Sequence, residues 1–162
     1  MKKIIAFIIS LGLMIGLTGC ANTQKQEVLR EYLDVYVPEL AYLEEEFLAS
    51  YESVTGDNYT SDYDTYMEFT TYTVEYAKDL DSAAVEISNY ITDSEVLEAH
   101  RIYMNYCNKF LSAVNLMITA LENGDYSLVD EANERLNEAN NYAVDYNIAL
   151  NNLMEKYKVY AE

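Results

Sequence analysis

Four stretches of this chain repeat apolar residues at alternating steps of three and four, and that spacing leaves few folds open to it. In an α-helix such steps lay every apolar residue along one stripe, which has to be buried against another helix. The first stripe runs through Leu29, Leu33, Tyr36, Leu40, Leu43, Phe47 and Val54. The second runs through Tyr66, Phe69, Thr73, Tyr76, Leu80, Ala83, Ile87 and Tyr90, weakened by its threonine. The third, Val96, His100, Tyr103, Cys107, Phe110, Val114, Met117 and Leu121, is widened by Leu97, Met104, Leu111 and Ile118 and is expected to be the most buried. The fourth carries Val129, Ala132, Leu136, Ala139, Ala143, Tyr146, Leu150, Leu153, Tyr157 and Tyr160 without losing register.

The breaks between stripes have matching chemistry. The polar run Thr55-Gly56-Asp57-Asn58-Tyr59-Thr60-Ser61 reads as a loop, with Ser61 or Asp62 able to cap the next helix. Thr92-Asp93-Ser94-Glu95 fits a capping box with Thr92 as N-cap. Asn123-Gly124-Asp125 ends the third helix on a glycine suited to a left-handed C-cap and opens the fourth on an acidic cap. Helices are therefore expected over about 26–54, 62–91, 93–123 and 126–161, in one all-α domain spanning 26–162. Short connections favour antiparallel neighbours, so the expectation is an up-down four-helix bundle with heptad-like seams, each helix roughly 45 Å long at 1.5 Å per residue.

Pro38 is the one local contradiction, because inside a helix it removes a hydrogen bond and clashes with the carbonyl of Asp34. The stripe runs through it unbroken, which predicts a kinked first helix; a separate helix starting at Pro38 is the alternative.

The first residues have a different grammar. Lys2 and Lys3 precede the apolar run Ile4 to Leu17, and Leu17-Thr18-Gly19 leads into Cys20. This layout resembles a bacterial lipoprotein signal with a signal peptidase II type lipobox. The resemblance implies that residues 1–19 are removed, that Cys20 carries a covalent diacylglycerol, and that 20–25 form a short tether on the extracytoplasmic face of the cell membrane. Two acyl chains anchor a protein stably where one does so only marginally. Ile4 to Thr18 is 15 residues, short of the roughly 20 that a membrane-spanning helix needs.

Charge narrows the partners. All 28 acidic residues follow Cys20, against 8 basic ones once Lys2 and Lys3 are gone, so the mature side chains sum to −20. That surface repels nucleic acid and anionic headgroups; it either draws cations and basic proteins or serves as a solvated coat. With Cys20 lipidated, Cys107 is the one remaining thiol and no internal disulfide can form.

The 17 tyrosines, beside no tryptophan and four phenylalanines, are the oddest part of the composition. They can stack on sugars or anchor a protein partner, yet many fall on the seams and read there as core. With four helices of similar length and the anchor beside the first, the 56–61 loop and the 124 turn are expected to share a membrane-distal tip. Asp57, Tyr59, Asp62, Tyr63, Asp125 and Tyr126 are its candidate interaction residues. His100, Met104 and Cys107 share a face and offer soft or borderline ligands for copper or haem, although two of the three lie on the seam. Asp57, Asn58, Asp62 and Asp64 could gather a hard cation but lack the spacing of an EF-hand. The lone histidine has Leu97 three positions before it, which excludes the Glu-x-x-His pairs of a ferritin-like di-iron bundle. Asn133, Asn140 and Asn147 recur every seven residues beside the fourth seam, as a glycan-binding ladder or a polar flank limiting unwanted helix association. No phosphate loop, haem-attachment motif or pairable Ser and His is present.

Residues 95–157, through His100, Gly124-Asp125, Ala132-Asn133 and Leu136, resemble small helical lipoproteins of Gram-positive bacteria. That resemblance implies the fold and transfers no catalytic residue. The expected function is a membrane-anchored, non-enzymatic binding or scaffolding bundle that meets an envelope protein or glycan and uses no cofactor beyond the lipid. The alternative is a ligand- or metal-binding sensor or carrier.

Overall fold

The computed structural model describes residues 23–160, and all of its regular structure is helical. The signal, with Leu17, Thr18, Gly19 and Cys20, lies outside the described residues. Four helices pack together. The first comprises α1 (Thr23–Glu31), a π turn (Tyr32–Tyr36) and α2 (Val37–Ser53). After a single 3-10 turn at Gly56–Asn58, the second comprises α3 (Asp62–Glu68), another π turn (Phe69–Thr73) and α4 (Val74–Ser88). The third is α5 (Ser94–Asn123) and the fourth α6 (Ser127–Tyr157). The α5–α6 pairing is the most extensive; α5 also packs on α4, α2 on α4, and α1 on α6.

Each π turn explains a departure from the expected pattern. In the first, the Val37 amide bonds the carbonyl of Tyr32, five residues back, and Pro38 then sits in the first turn of α2. The helix thus continues through Pro38, with the wider turn placed where an α-turn would press the ring against the Asp34 carbonyl. In the second, the Val74 amide bonds the carbonyl of Phe69 in the same way. Beyond it the buried stripe becomes Thr73, Ala77, Leu80, Ala84, Ile87 and Ile91, while Tyr90 is exposed. Tyr76 and Ala83 lie at the edge of the core, so this helix turns Ala77 and Ala84 inward where Tyr76 and Ala83 were expected.

The third helix is the most buried, but on the other flank. Ala99, Tyr106, Ala113 and Ala120 join the expected stripe in the core, whereas Leu97, Met104, Leu111 and Ile118 are only partly covered. Small residues at three of these four positions let α5 approach its neighbours closely. Aromatic packing fills one layer, with Phe47 edge-on to Phe110 at 5.0 Å between ring centroids and Tyr51 stacked on Phe69 at 5.5 Å.

The caps follow the sequence with one correction. Ser61 accepts the Asp64 amide at 3.1 Å, and Gly124 takes φ 65° in the left-handed region. At the start of α5 the N-cap is Asp93, not Thr92: its Oδ1 accepts the amides of Glu95 at 2.9 Å and Val96 at 3.2 Å. A carboxylate also suits the positive end of a 30-residue helix dipole, and Glu95 is thereby free for a different task. At the other terminus α6 ends at Tyr157, short of the expected 161, because Lys158 adopts φ 53°. The Val159 amide then bonds the Met154 carbonyl at 3.1 Å, a Schellman closure with Val159 buried beneath it.

Candidate functional site

Three polar clusters stand out against this frame, one at each end and one in the middle. At one end, the loop after α2 and the turn before α6 meet. The Tyr59 hydroxyl donates to Oδ1 of Asp62 at 2.8 Å, and the Tyr126 hydroxyl donates to Oδ2 of the same carboxylate at 2.5 Å. The two phenols hold the Asp62 carboxyl below the usual range, and the carboxylate in turn raises both phenols. Tyr63 projects from the first turn of α3, and with Asp62, Tyr66, Leu121 and Glu122 it lines a shallow open groove. Three tyrosines lie open to solvent here: Tyr59 at 52%, Tyr63 at 70% and Tyr126 at 59%.

The six candidate tip residues therefore divide. Tyr59, Asp62 and Tyr126 form one hydrogen-bonded unit with Tyr63 beside it. Asp125 is occupied in capping α6, accepting the Ser127 amide at 3.1 Å and its hydroxyl at 2.6 Å. Asp57 stands apart, exposed in the 3-10 turn. Asp64 takes the hydroxyls of Thr60 and Ser61 at 2.8 and 2.7 Å, which is loop closure. Among the described residues no group of three His, Cys, Asp or Glu is placed to hold a metal ion.

The middle cluster is buried. His100 Nε2 lies 2.7 Å from the Ala84 carbonyl, which can only accept, so that nitrogen carries the proton. Nδ1 is then the acceptor for the Tyr32 hydroxyl at 3.0 Å, and the Tyr32 oxygen accepts in turn from Tyr146 at 2.9 Å. Burial lowers the His100 pKa, partly opposed by the bond to Ala84. One turn further along α5, Tyr103 and Tyr106 donate to the two oxygens of Glu44 at 3.1 and 2.5 Å. Burial raises the Glu44 carboxyl, and the Tyr106 and Tyr103 hydroxyls pull it back down. Cys107 is buried beside this group with its thiol pushed well up by burial, and Met104 is only partly covered. Both nitrogens of His100 are committed to hydrogen bonds, and Cys107 packs in the core with Met104 at its edge.

The third cluster lies at the opposite end, where α1 and the ends of α5 and α6 come together. Lys25 reaches Oε1 of Glu95 at 2.8 Å and Oδ2 of Asp93 at 3.4 Å, and Tyr157 donates to the same Glu95 oxygen at 2.7 Å. Lys156 pairs with the other oxygen of Glu95, and Gln26 donates to the Tyr157 carbonyl at 2.8 Å. The hydrogen bonds from Lys156, Lys25 and Tyr157 pull the Glu95 carboxyl down to about 2. Both lysines also approach the Tyr157 ring, at 5.7 and 5.2 Å from its centroid.

Neither this clamp nor the central network was among the expected sites. A signal for Glu44 and Tyr32 exists in hindsight, since Tyr32 is three residues from Leu29 and Glu44 four from Leu40, both helical steps onto the seam. The clamp joins residues up to 132 positions apart and leaves no local trace. Among the described residues no helix is long and apolar enough to cross a membrane. No protein-family model, curated protein or solved structure matches the chain.

Proposed function

We propose that this chain is an extracytoplasmic lipoprotein, anchored by a diacylglycerol on Cys20 and acting as a non-enzymatic binding bundle at the cell envelope. Its four helices run up and down, with the Lys25–Glu95–Lys156 clamp beside the membrane and the Asp62 cluster facing outward. The observation that carries this reading is the separation of the clamp from the tip. Lys25, Glu95 and Tyr157 meet at one end of the bundle, while Asp62 and Tyr126, 64 residues apart, meet at the other. That separation supports an up-down order, in which alternate turns gather at alternate ends.

α1 begins at Thr23, inside the expected 20–25 tether, and its Lys25 and Gln26 are fastened to α5 and α6. A pull on the anchor is thereby shared by three of the four helices. The tip carries the exposed tyrosines and an aspartate fixed in orientation by two of them, the kind of amphipathic aromatic surface that anchors protein contacts.

The anchor and the tip are tested separately. Cys20→Ala is expected to abolish labelling by palmitate and release the chain from the membrane fraction; unchanged labelling sinks the lipoprotein assignment. The triple change Tyr59→Ser, Tyr63→Ser and Tyr126→Ser is expected to leave helicity intact and remove products captured by in-cell crosslinking. Persistence of the same products in the triple variant places the contact elsewhere on the bundle.

A further inference from the structure

Basic residues are distributed very unevenly along this chain. None occurs between Arg30 and Lys78, and none between Lys109 and Arg135, the two stretches that together build the tip. Lys25, Lys78, Arg101, Lys109, Arg135 and Lys156 each bridge a carboxylate. Every one of those partners lies away from the groove. Among the described residues, Asp57, Asp62, Asp64, Glu122, Asp125 and Asp130 face no lysine or arginine of their own chain within ion-pair distance. The carboxylates of this end therefore carry their charge with no cation of the chain paired to them, in the part of the bundle from which basic residues are missing.

That end is also shaped. The groove has Asp62 and Glu122 as its charged members and Tyr63, Tyr66 and Leu121 as its apolar ones. Tyr59 and Tyr126 lock Asp62 in place, so its charge is presented without the rotamer entropy that an exposed carboxylate ordinarily loses on pairing. We infer that the groove takes an arginine- or lysine-bearing peptide segment of a partner protein. The aliphatic stem lies along Leu121 and Tyr66, and the cationic head sits between Asp62 and Glu122 over the face of Tyr63. The inference rests on the tip being the contact end and adds the chemical class of what it contacts.

The test uses the full-length lipidated chain in neutral detergent, titrated calorimetrically with a synthetic arginine–glycine repeat peptide and a glutamate–glycine repeat of equal length. The arginine peptide is expected to bind, more weakly as salt is raised, and the glutamate peptide not to bind. Combining Asp62→Asn with Glu122→Gln is expected to lower affinity about tenfold or more, and Tyr63→Ser alone several-fold. Glu75→Gln with Glu98→Gln removes the same charge away from the groove and is expected to change affinity less than about twofold. Circular dichroism confirms that each variant keeps its helices. Equal losses from the two charge pairs mean diffuse attraction and overturn the proposal, as does equal binding of both peptides, or binding of a neutral glycan oligomer but not the arginine peptide. If the tyrosine variants lose their crosslinked partner while the arginine peptide fails to bind, the contact end stands and its cationic occupant falls.

Discussion

The middle of the bundle and its tip are built from one bond, a tyrosine hydroxyl donated to an acidic or basic side chain, placed in two solvents. In the middle, Tyr32 donates to His100 and Tyr103 and Tyr106 donate to Glu44, with Tyr32 and His100 fully buried. At the tip, Tyr59 and Tyr126 donate to Asp62 in open water. Inside, water cannot replace a lost partner, so each bond guards against an unsatisfied polar group. Outside, water stands ready, and the same bond orients a carboxylate while adding little to folding. One region spends its tyrosines on specifying the core and the other on shaping a surface.

The sharpest way to break this contrast is Tyr32→Phe. It strips His100 Nδ1 of its donor and the Tyr146 hydroxyl of its acceptor, both buried, and is expected to cost about 3 kcal/mol in urea unfolding at pH 7. A loss indistinguishable from zero would mean that the central hydroxyls are no more structural than those at the tip. A smaller effect is expected from pH. The folded His100 has a pKa below its ordinary 6.5, so the unfolded chain binds its proton more readily. The stability it contributes is whole above about 6.5 and declines as pH falls toward the depressed value. Glu44 works in the opposite sense: its carboxyl lies above 4.5 when folded, so its contribution is whole at low pH and is lost as pH rises through the raised value. Unfolding measured at steps between pH 7.5 and 5 should show a downward slope on acidification that His100→Gln abolishes. Least of all, Asp62→Asn is expected to leave the urea midpoint where it was; a midpoint shift comparable to that of Tyr32→Phe would make the tip part of the fold's support.

Much of the fold was legible because its signals are local. Four apolar stripes, Ser61 as a cap and Gly124 as a stop each depend on residues a few positions apart. What escaped depends on an extra residue per turn or on distance. A π turn has no spacing signature of its own, so nothing in Phe69 to Thr73 announced that Ala77 and Ala84 would replace Tyr76 and Ala83 at the seam. Thr73 looked like a flaw in the stripe; it is fully buried because Ser50, across the interface, hydrogen-bonds it at 2.7 Å. Thr92 and Asp93 are both good caps one residue apart, and local sequence does not choose between them. The meeting of the 56–61 region with the 124 turn was legible because tyrosine and aspartate cluster around the turn residues that chain reversal demands. The Glu95 clamp was missed because its lysines, one before the first seam and one near the end of the fourth, look like ordinary surface charge.

The two π turns also bear on how the gene can change. Each accommodates one residue more than an α-turn, so losing a codon within 69–73 would convert the bulge to plain α-helix and leave the faces on either side aligned, whereas losing one within 32–36 would press Pro38 against the carbonyl four residues back. Losing one within the regular stretch of α5 would swing every later side chain by about 100° and turn the core outward. Reading-frame-preserving deletions in natural variants should therefore collect at 69–73 and avoid both 32–36 and α5.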